Sequence, residues 1–514
     1  MSYAFMTAIE NTMKKENVLT ENGAIGYRTS GSPLVDFNFR IGSYRGASES
    51  EIASDFAKAF DYNPVLAVKM MFFAGDMRGG MGERKVFKSC LHWLSDHEDF
   101  CNAVIDLIPE YTRWDCVVSL LGTACDEAAW RLIKRQLDSD QENMGKGQPI
   151  SLLAKWLPSV NASSKSTNLL GRKVARRLGM RDPQYRRMLS KMRGYLRIVE
   201  KKMSSGQWSE IDYNIIPSKA NVLYAGAFMR HDPSRRQKYL NALERNDGSA
   251  KINASVAFPY DIVSSYGKKN GEDKALEAMW KALPDFAKGE NAGGTLCVVD
   301  GSGSMGRNIG NTKLTAHDVA RSLGIYFSER LTGPFKDKFI TFSSRPQFVD
   351  LSSKKSLWDK IWECDRHDEC SNTNIESTFD LILQTAVQHN LRQEDLPRNV
   401  LVISDMEFDS CTEQPDLFGH GRFSSGMKTL FEHISNRFAK HGYAMPRMVF
   451  WNVNSRSKAV PLQENEAGVA LVSGFSPAIA SMVFSAELDP ERILLEKLDS
   501  ERYRPVEEAI AGLA

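Results

Sequence analysis

Two acids and three hydroxyls carry the clearest chemistry in this sequence. In "CVVDGSGSM", Cys297–Met305, an apolar run ends on Asp300. The Gly-Ser-Gly-Ser that follows turns the backbone tightly and sends the hydroxyls of Ser302 and Ser304 to the same side. In "NVLVISD" a second apolar run ends on Asp405, and between the two "SNTNIESTF" sets Thr373 on a polar loop just before a helical pattern. Carboxylates and hydroxyls are hard oxygen donors, so Asp300, Ser302, Ser304, Thr373 and Asp405 together suit magnesium or manganese and not zinc. The plainer reading is a glycine-serine turn that binds nothing. Softer donors cluster once, as Cys364, His367 and Cys370 in "CDRHDEC". A zinc site wants a fourth ligand and a longer spacing, so this segment reads as a loop. The other cysteines are scattered, several through apolar patterns, as suits reduced, buried thiols.

A second chemistry lies upstream. "KSTNLLGRKVARRLGMRDPQYRRMLSKMRGYLRIVEKK", Lys165–Lys202, holds 13 basic residues against two acids, and arginine outnumbers lysine. Helical spacing brings Arg172, Lys173, Arg176 and Arg177 into one neighbourhood, with Leu169, Leu170, Val174 and Leu178 expected to face inward. A second helix repeats the plan with Arg186, Arg187, Lys191 and Arg193 around Tyr185, Met188, Leu189, Met192 and Leu196, and Lys165, Arg181 and Arg197 extend the block. Charge runs are commonly only solvated faces. This one is unbalanced: residues 151–250 carry 20 Lys and Arg against 7 Asp and Glu, in a chain with 66 against 64 overall. Such a surface attracts phosphates, and arginine favours bidentate phosphate contact and base stacking, so nucleic acid is the expected ligand. Trp156, Tyr185 and Tyr195 could stack on bases, although their spacing fits core packing better.

These groups need elements to hold them. Residues 50–285 read as helices, in segments such as "NPVLAVKMMFFAGD" and "DEAAWRLIKRQL" with apolar positions three and four apart. Helices of this length joined by short breaks suggest stacking as in a HEAT-like α-solenoid. After "WKALPDFAKGENAGG" the pattern changes to short β-rich runs alternating with amphipathic helices, which implies right-handed βαβ units in a mainly parallel sheet. The expected class is therefore α plus α/β. Its parts are an extension over 1–48, an all-helical module over 49–290, a Rossmann-like sheet flanked by helices over 291–485, and a helical tail over 486–514. In such sheets ligands gather in loops beyond the carboxyl ends of strands, where Asp300 and Asp405 fall.

At 514 residues the chain is too long for one ordinary core, and 42% hydrophobic with 25% charged residues is a globular composition. No apolar run is long enough for a membrane span, and the N-terminus lacks a secretory leader pattern, so a soluble, cytoplasmic protein is expected.

The pattern Asp300-Gly-Ser302-Gly-Ser304, with Thr373 and Asp405 in order behind it, resembles the metal-ion-dependent adhesion site of von Willebrand factor A domains, over roughly residues 291–485. The resemblance implies that Ser302, Ser304 and Thr373 ligate a magnesium or manganese ion directly or nearly so, and that Asp300 and Asp405 act largely through water. One position would stay open for an acidic group of a partner. Two departures stand out: Asn372 precedes the threonine where the family often has glycine, and the long segment "EFDSCTEQPDLFGHGRFSSG" after Asp405 could cover the site.

Further short motifs, "AGDMRGGMGERKVF", "PEYTRWD", "LAKWLPS" and "SMVFSAEL", are similar to a largely uncharacterised cellular and viral family that places a helical module before a von Willebrand A domain. That architecture in turn resembles the Ro autoantigen, or TROVE-module, proteins. There the helical repeats close into a ring joined by the A domain, and RNA is held by a basic outer surface and the central hole. The likeness implies an RNA surface at residues 165–202, with Arg78, Arg84 and Lys85 contributing near a lumen. The RNA expected is a single-stranded end or a structured small RNA.

No G-x-x-x-x-G-K-[ST], G-x-S-x-G or H-E-x-x-H motif occurs, so binding is favoured over catalysis. The alternatives are a protein-interaction scaffold whose metal site captures an acidic partner residue and, more weakly, a metal-dependent phosphoryl-transfer enzyme.

Overall fold

The computed structural model describes residues 17–19, 25–196, 198–245, 247–267, 271–287, 292–342, 345–367, 375–407, 434–456, 469–485, 487 and 489–513. Up to residue 287 these form helices, apart from a short hairpin of β1 (Asn17–Leu19) with β2 (Ile25–Tyr27). From Thr295 onward strands and helices alternate.

The helix Pro64–Gly75 lies at the centre of the helical half. Asn63 starts it by accepting a hydrogen bond from Leu66 N at 3.0 Å, Pro64 presets its first turn, and every residue from Ala67 to Gly75 is buried. A helix apolar on all sides belongs inside a core. The basic helices are of the other kind. Lys165–Arg177, capped by Ser164, buries only Gly171, Val174 and Ala175, and Asp182–Tyr195 buries Tyr185, Leu189 and Met192. Leu169, expected to face inward, is 58% exposed. At 100° per residue it falls off the stripe that Gly171, Val174 and Ala175 define.

The second half is a six-stranded sheet in the order β5-β4-β3-β6-β7-β8, built from β3 (Thr295–Asp300), β4 (Lys338–Phe342), β5 (Phe348–Asp350), β6 (Asn399–Ser404), β7 (Arg447–Asn452) and β8 (Val469–Ser473). Neighbours from β4 to β8 pair in parallel, and β5 alone runs antiparallel. β3 and β6 are buried along their whole length, as near-continuous apolar strands covered on both faces must be. Alternate residues face opposite ways. Cys297, Val299, Leu401 and Ile403 join a core with the helix Ala316–Arg330 that runs on into the helical half. Leu296, Val298, Val400 and Val402 pack in a second cluster with the helix Ile375–Gln388 and with Val35 and Phe39 from the helix Pro33–Arg40. A third, small cluster of Val199, Ile211, Tyr213, Ile216, Phe228 and Tyr239 stands apart.

The two halves are tied at more than one place. Near the N-terminus, Gly42 N donates to Ser473 Oγ at 2.9 Å and Asn452 Nδ2 to Phe39 O at 2.9 Å. A Cβ on Gly42 would lie 2.7 Å from Ser473 Oγ, so only glycine fits this approach. The helices Pro490–Leu498 and Arg504–Ile510 return to Pro64–Gly75. Lys69, 1% exposed, is held there by Asp499 and Glu507 at 2.8 and 2.6 Å, and Arg502 reaches Asp76 at 2.9 Å. At the other end of the helical half, Glu277 accepts from Leu357 N and Trp358 N at 3.0 and 3.2 Å, and Trp280 Nε1 donates to Glu329 at 2.7 Å. No helix among the described residues is long and apolar enough to cross a membrane.

Candidate metal centre and basic surface

From β3 the chain passes to β4 on one side and then returns to β6 on the other, so β3 and β6 flank the point where the strand order reverses. Loops at such a point splay apart beyond the carboxyl ends and leave a crevice. Asp300 is the last residue of β3, Ser404 the last of β6, and Asp405 follows it. Both aspartates are fully buried. Asp300 Oδ1 accepts from Ser302 N at 2.8 Å and its Oδ2 from the Ser404 hydroxyl, while the Ser302 and Ser304 hydroxyls meet at 3.0 Å. Burial and the nearby charge of Asp405 push Asp300 up to about 7, against the lowering effect of the Ser404 and Ser302 hydrogen bonds. Burial raises Asp405 as well, with Arg456 opposing it.

Three further residues complete the rim. Met406 has φ 61°, a left-handed backbone that non-glycine residues rarely adopt, and its N–H donates to Ser404 Oγ at 3.0 Å. Glu407, also fully buried, donates its N–H to Asp405 Oδ1 at 3.3 Å. Arg456 arrives from the loop after β7: its Nη1 donates to Asp405 Oδ2 at 2.9 Å and its backbone N–H to Glu407 Oε1 at 2.6 Å. That loop is held by Asn452, whose Oδ1 accepts from Asn454 N and Ser455 N at 3.0 and 2.8 Å. Ser404, Glu407 and Arg456 are absent from the ligand set read from the sequence. For Ser404 the signal was a serine closing an apolar strand; for Arg456, a cation in the polar loop after the next strand of the same edge.

Asp300, Ser302, Ser304 and Asp405 thus share one sheet edge. Thr373 lies outside the described residues, though Ile375, two positions on, packs in the same cluster as Met406. Most of the segment after Glu407 also lies outside them. No group of three or more His, Cys, Asp or Glu side chains able to hold a metal occurs among the described residues. A cation here would therefore depend on the serine hydroxyls beside the two aspartates, a donor set that fits a hard ion. Cys364 is buried in the helix Leu357–Arg366, His367 Nδ1 meets Gln347 Oε1 at 2.8 Å, and Cys370 lies outside the described residues.

The basic block divides in two. Lys165, Arg176, Arg181, Arg186, Arg187 and Lys191 are exposed, with no carboxylate partner among the described residues. The rest are engaged. Arg177 grips Asp126 and Glu127, Lys173 lies 3.7 Å from Asp126, and Arg172 lies 3.4 Å from Asp182. Arg193 donates at 2.8 Å each to Ala154 O, Leu157 O and Ser159 Oγ, which makes it a brace. Arg197 lies outside the described residues. Beside the free cations, Asn161, Arg186, Leu189, Ser190, Ile198 and Lys201 line a cleft of about 360 Å³. The aromatics are occupied: Tyr185 donates to Pro158 O at 3.0 Å, Tyr195 to Gln148 O at 2.8 Å, and the Trp156 ring carries Arg113 at 4.0 Å.

A glycine-rich turn follows the helix Pro64–Gly75. It folds back on its own helix, with Met81 N on Phe73 O at 3.0 Å, Gly82 N on Asp76 O at 3.0 Å and Glu83 N on Ala74 O at 2.7 Å. A Cβ on Gly80 would sit 2.1 Å from Phe73 O, so the glycine serves the turn itself. Arg78 donates to Glu110 O at 3.1 Å, Arg84 lies 3.8 Å from Asp115, and the Lys85 ammonium is spent on the carbonyls of Arg45 and Ala47.

The chain is similar to the uncharacterized protein L728 of Acanthamoeba polyphaga mimivirus, 29% identical over 534 residues that cover 95% of this chain and 88% of that one. The crystal structure of the Ro (RSR) protein of Deinococcus radiodurans aligns over 94% of this chain and 100% of its own, at 13% identity and a TM-score of 0.45. Residues 20–99 and 128–287 match the family model of one domain of unknown function, DUF2828, and residues 294–508 match that of another, DUF7788, so the two models meet where helices give way to strands.

Proposed function

We propose that this chain is a non-catalytic RNA-binding protein. RNA phosphates would lie on the outer face of the helices Lys165–Arg177 and Asp182–Tyr195, and a von Willebrand A-type centre at the β3/β6 rim would hold magnesium or manganese. The observation that carries the RNA reading is the set of six exposed cations, Lys165, Arg176, Arg181, Arg186, Arg187 and Lys191, without carboxylate partners among the described residues. A merely soluble surface mixes signs and pairs them, whereas this face keeps its positive charge for something outside the protein. The adjoining cleft is lined by Arg186 and Lys201, by apolar Leu189 and Ile198, and by one acid, Glu200; its cations and apolar surface suit a nucleotide of a single strand. For the metal reading the support is the oxygen donor set of Asp300, Ser302, Ser304 and Asp405 at the strand-order reversal. When bound, the ion would neutralise the buried acids and order the three loops around it.

The test is binding of labelled single-stranded and structured small RNAs to the full chain over a range of salt. Changing Arg176, Arg181, Arg186 and Arg187 together to Glu removes four phosphate contacts, so the slope of log affinity against log salt should fall by about 3 and binding at physiological salt should be lost. Among the described residues these side chains hold nothing else in place, so the variant should melt with the wild type. RNA affinity unchanged by the four substitutions, or absent from the wild type, overturns the reading.

A further inference from the structure

We infer that Arg456 is a built-in counter-cation of the rim, and that a divalent ion can enter only by displacing its guanidinium from Asp405. The inference rests on the metal reading above and concerns which cation the site keeps when none is supplied.

The carboxylate of Asp405 is fully buried, and its Oδ2, one of the oxygens offered to an ion, already accepts from Arg456 Nη1 at 2.9 Å. The contact is built from more than one direction. Asn452 at the end of β7 folds residues 454 and 455 onto its own Oδ1, and donates its Nδ2 to Phe39 O at 2.9 Å, so the turn is anchored on the other side. Val453 N donates to Ser404 O at 3.0 Å, tying the loop to the residue that also supports Asp300. Glu407 then accepts the Arg456 backbone N–H at 2.6 Å. The arginine is thus delivered to the rim by main-chain geometry, and its side chain is 20% exposed.

Two cations cannot share this place cheaply. A divalent ion drawn to Asp405, Ser302 and Ser304 would stand beside a guanidinium with little water between them, and like charges at that separation repel strongly in a buried setting. Either occupant neutralises the acids, so the two exclude one another. Arg456 lowers the apparent affinity for the metal and keeps the metal-free rim folded, while an ion that wins the site releases the guanidinium toward solvent.

The experiment is a calorimetric titration of the full chain with Mn2+ in wild type, Arg456→Met, Arg456→Lys and Asp300→Asn. Arg456→Met should bind Mn2+ at least about tenfold more tightly than wild type, Arg456→Lys should stay close to wild type because a cation remains, and Asp300→Asn should bind most weakly. A second measurement needs no variant. Labelling with an arginine-directed dicarbonyl reagent, read by peptide mass spectrometry, should modify Arg456 faster when Mn2+ is present. Wild-type Mn2+ binding that Arg456→Met leaves unchanged or weakens, or labelling that Mn2+ leaves unchanged or slows, overturns the role of Arg456 alone. Absence of Mn2+ binding from every variant overturns it together with the metal reading.

Discussion

Asp300 concentrates the electrostatics of the rim in one side chain. A carboxyl whose pKa is higher folded than unfolded binds its proton more tightly in the folded state, so stability falls as pH rises between the two values. Asp300 moves from the ordinary 3.8 to about 7 through burial and the charge of Asp405. In chelator, the melting temperature should therefore decline between about pH 4 and pH 7 and then level, and Asp300→Asn should flatten that decline. Thermal unfolding across this range checks it. Adding Mg2+ or Mn2+ above pH 7 should raise the melting temperature of the wild type. The Ser302→Ala, Ser304→Ala double variant should lose that gain, because the two acids alone leave a hard ion short of oxygen donors. A gain that survives in the double variant would place the ion elsewhere. Asp300, Ser302, Ser304 and Asp405 were legible as a group because each sits at a strand end or in the turn beyond it. Arg456 was not, since a cation in the polar loop after the next strand does not by itself show that it meets an acid 51 residues earlier.

On the scale of elements, the helix Asp182–Tyr195 shows how one charge run mixes two roles. Arg193 turns inward and satisfies two carbonyls and a hydroxyl, and burial pulls its pKa down. Arg193→Ala should destabilise the protein by about 2–3 kcal/mol, the cost of leaving buried acceptors without a charged donor. Arg187→Ala, on an exposed face, should stay within about 0.5 kcal/mol of wild type and weaken RNA binding. Chemical denaturation of the two variants separates brace from surface, and a stability loss at Arg187 as large as at Arg193 would contradict the division. Helical spacing located this helix and its apolar stripe. It could not tell Arg193 from Arg187, because the distinction depends on which turn of a distant segment, Ala154–Ser159, lies alongside.

At the scale of the molecule, the chain ends fasten the two halves. Lys69 projects from a helix buried on all sides, and among the described residues its ammonium is neutralised by Asp499 and Glu507 of the C-terminal region; burial tends to lower its pKa, and these partners raise it on balance. Replacing both acids by Asn and Gln should cost about 3 kcal/mol, since a buried cation is left unpaired, whereas Lys69→Met removes the charge with the pair and should cost less. Limited proteolysis should release the segment after Asp489 sooner in the double variant than in Lys69→Met. Equal release from both would mean that apolar packing of Ile493, Leu494, Val506 and Ile510 alone holds the tail.

Local pattern, on its own, determined the change from helix to alternating strand and helix near residue 290, the strand-end acids and the concentration of positive charge, because periodicity and residue chemistry act over a few neighbouring positions. Tertiary structure decided the rest. The Pro33–Arg40 helix covers the sheet, the tail returns to Lys69, the glycine turn folds on itself, and half of the basic block is spent on internal partners. Each of these is a contact between segments far apart in sequence. Its free energy depends on burial and distance, and one-dimensional spacing carries neither.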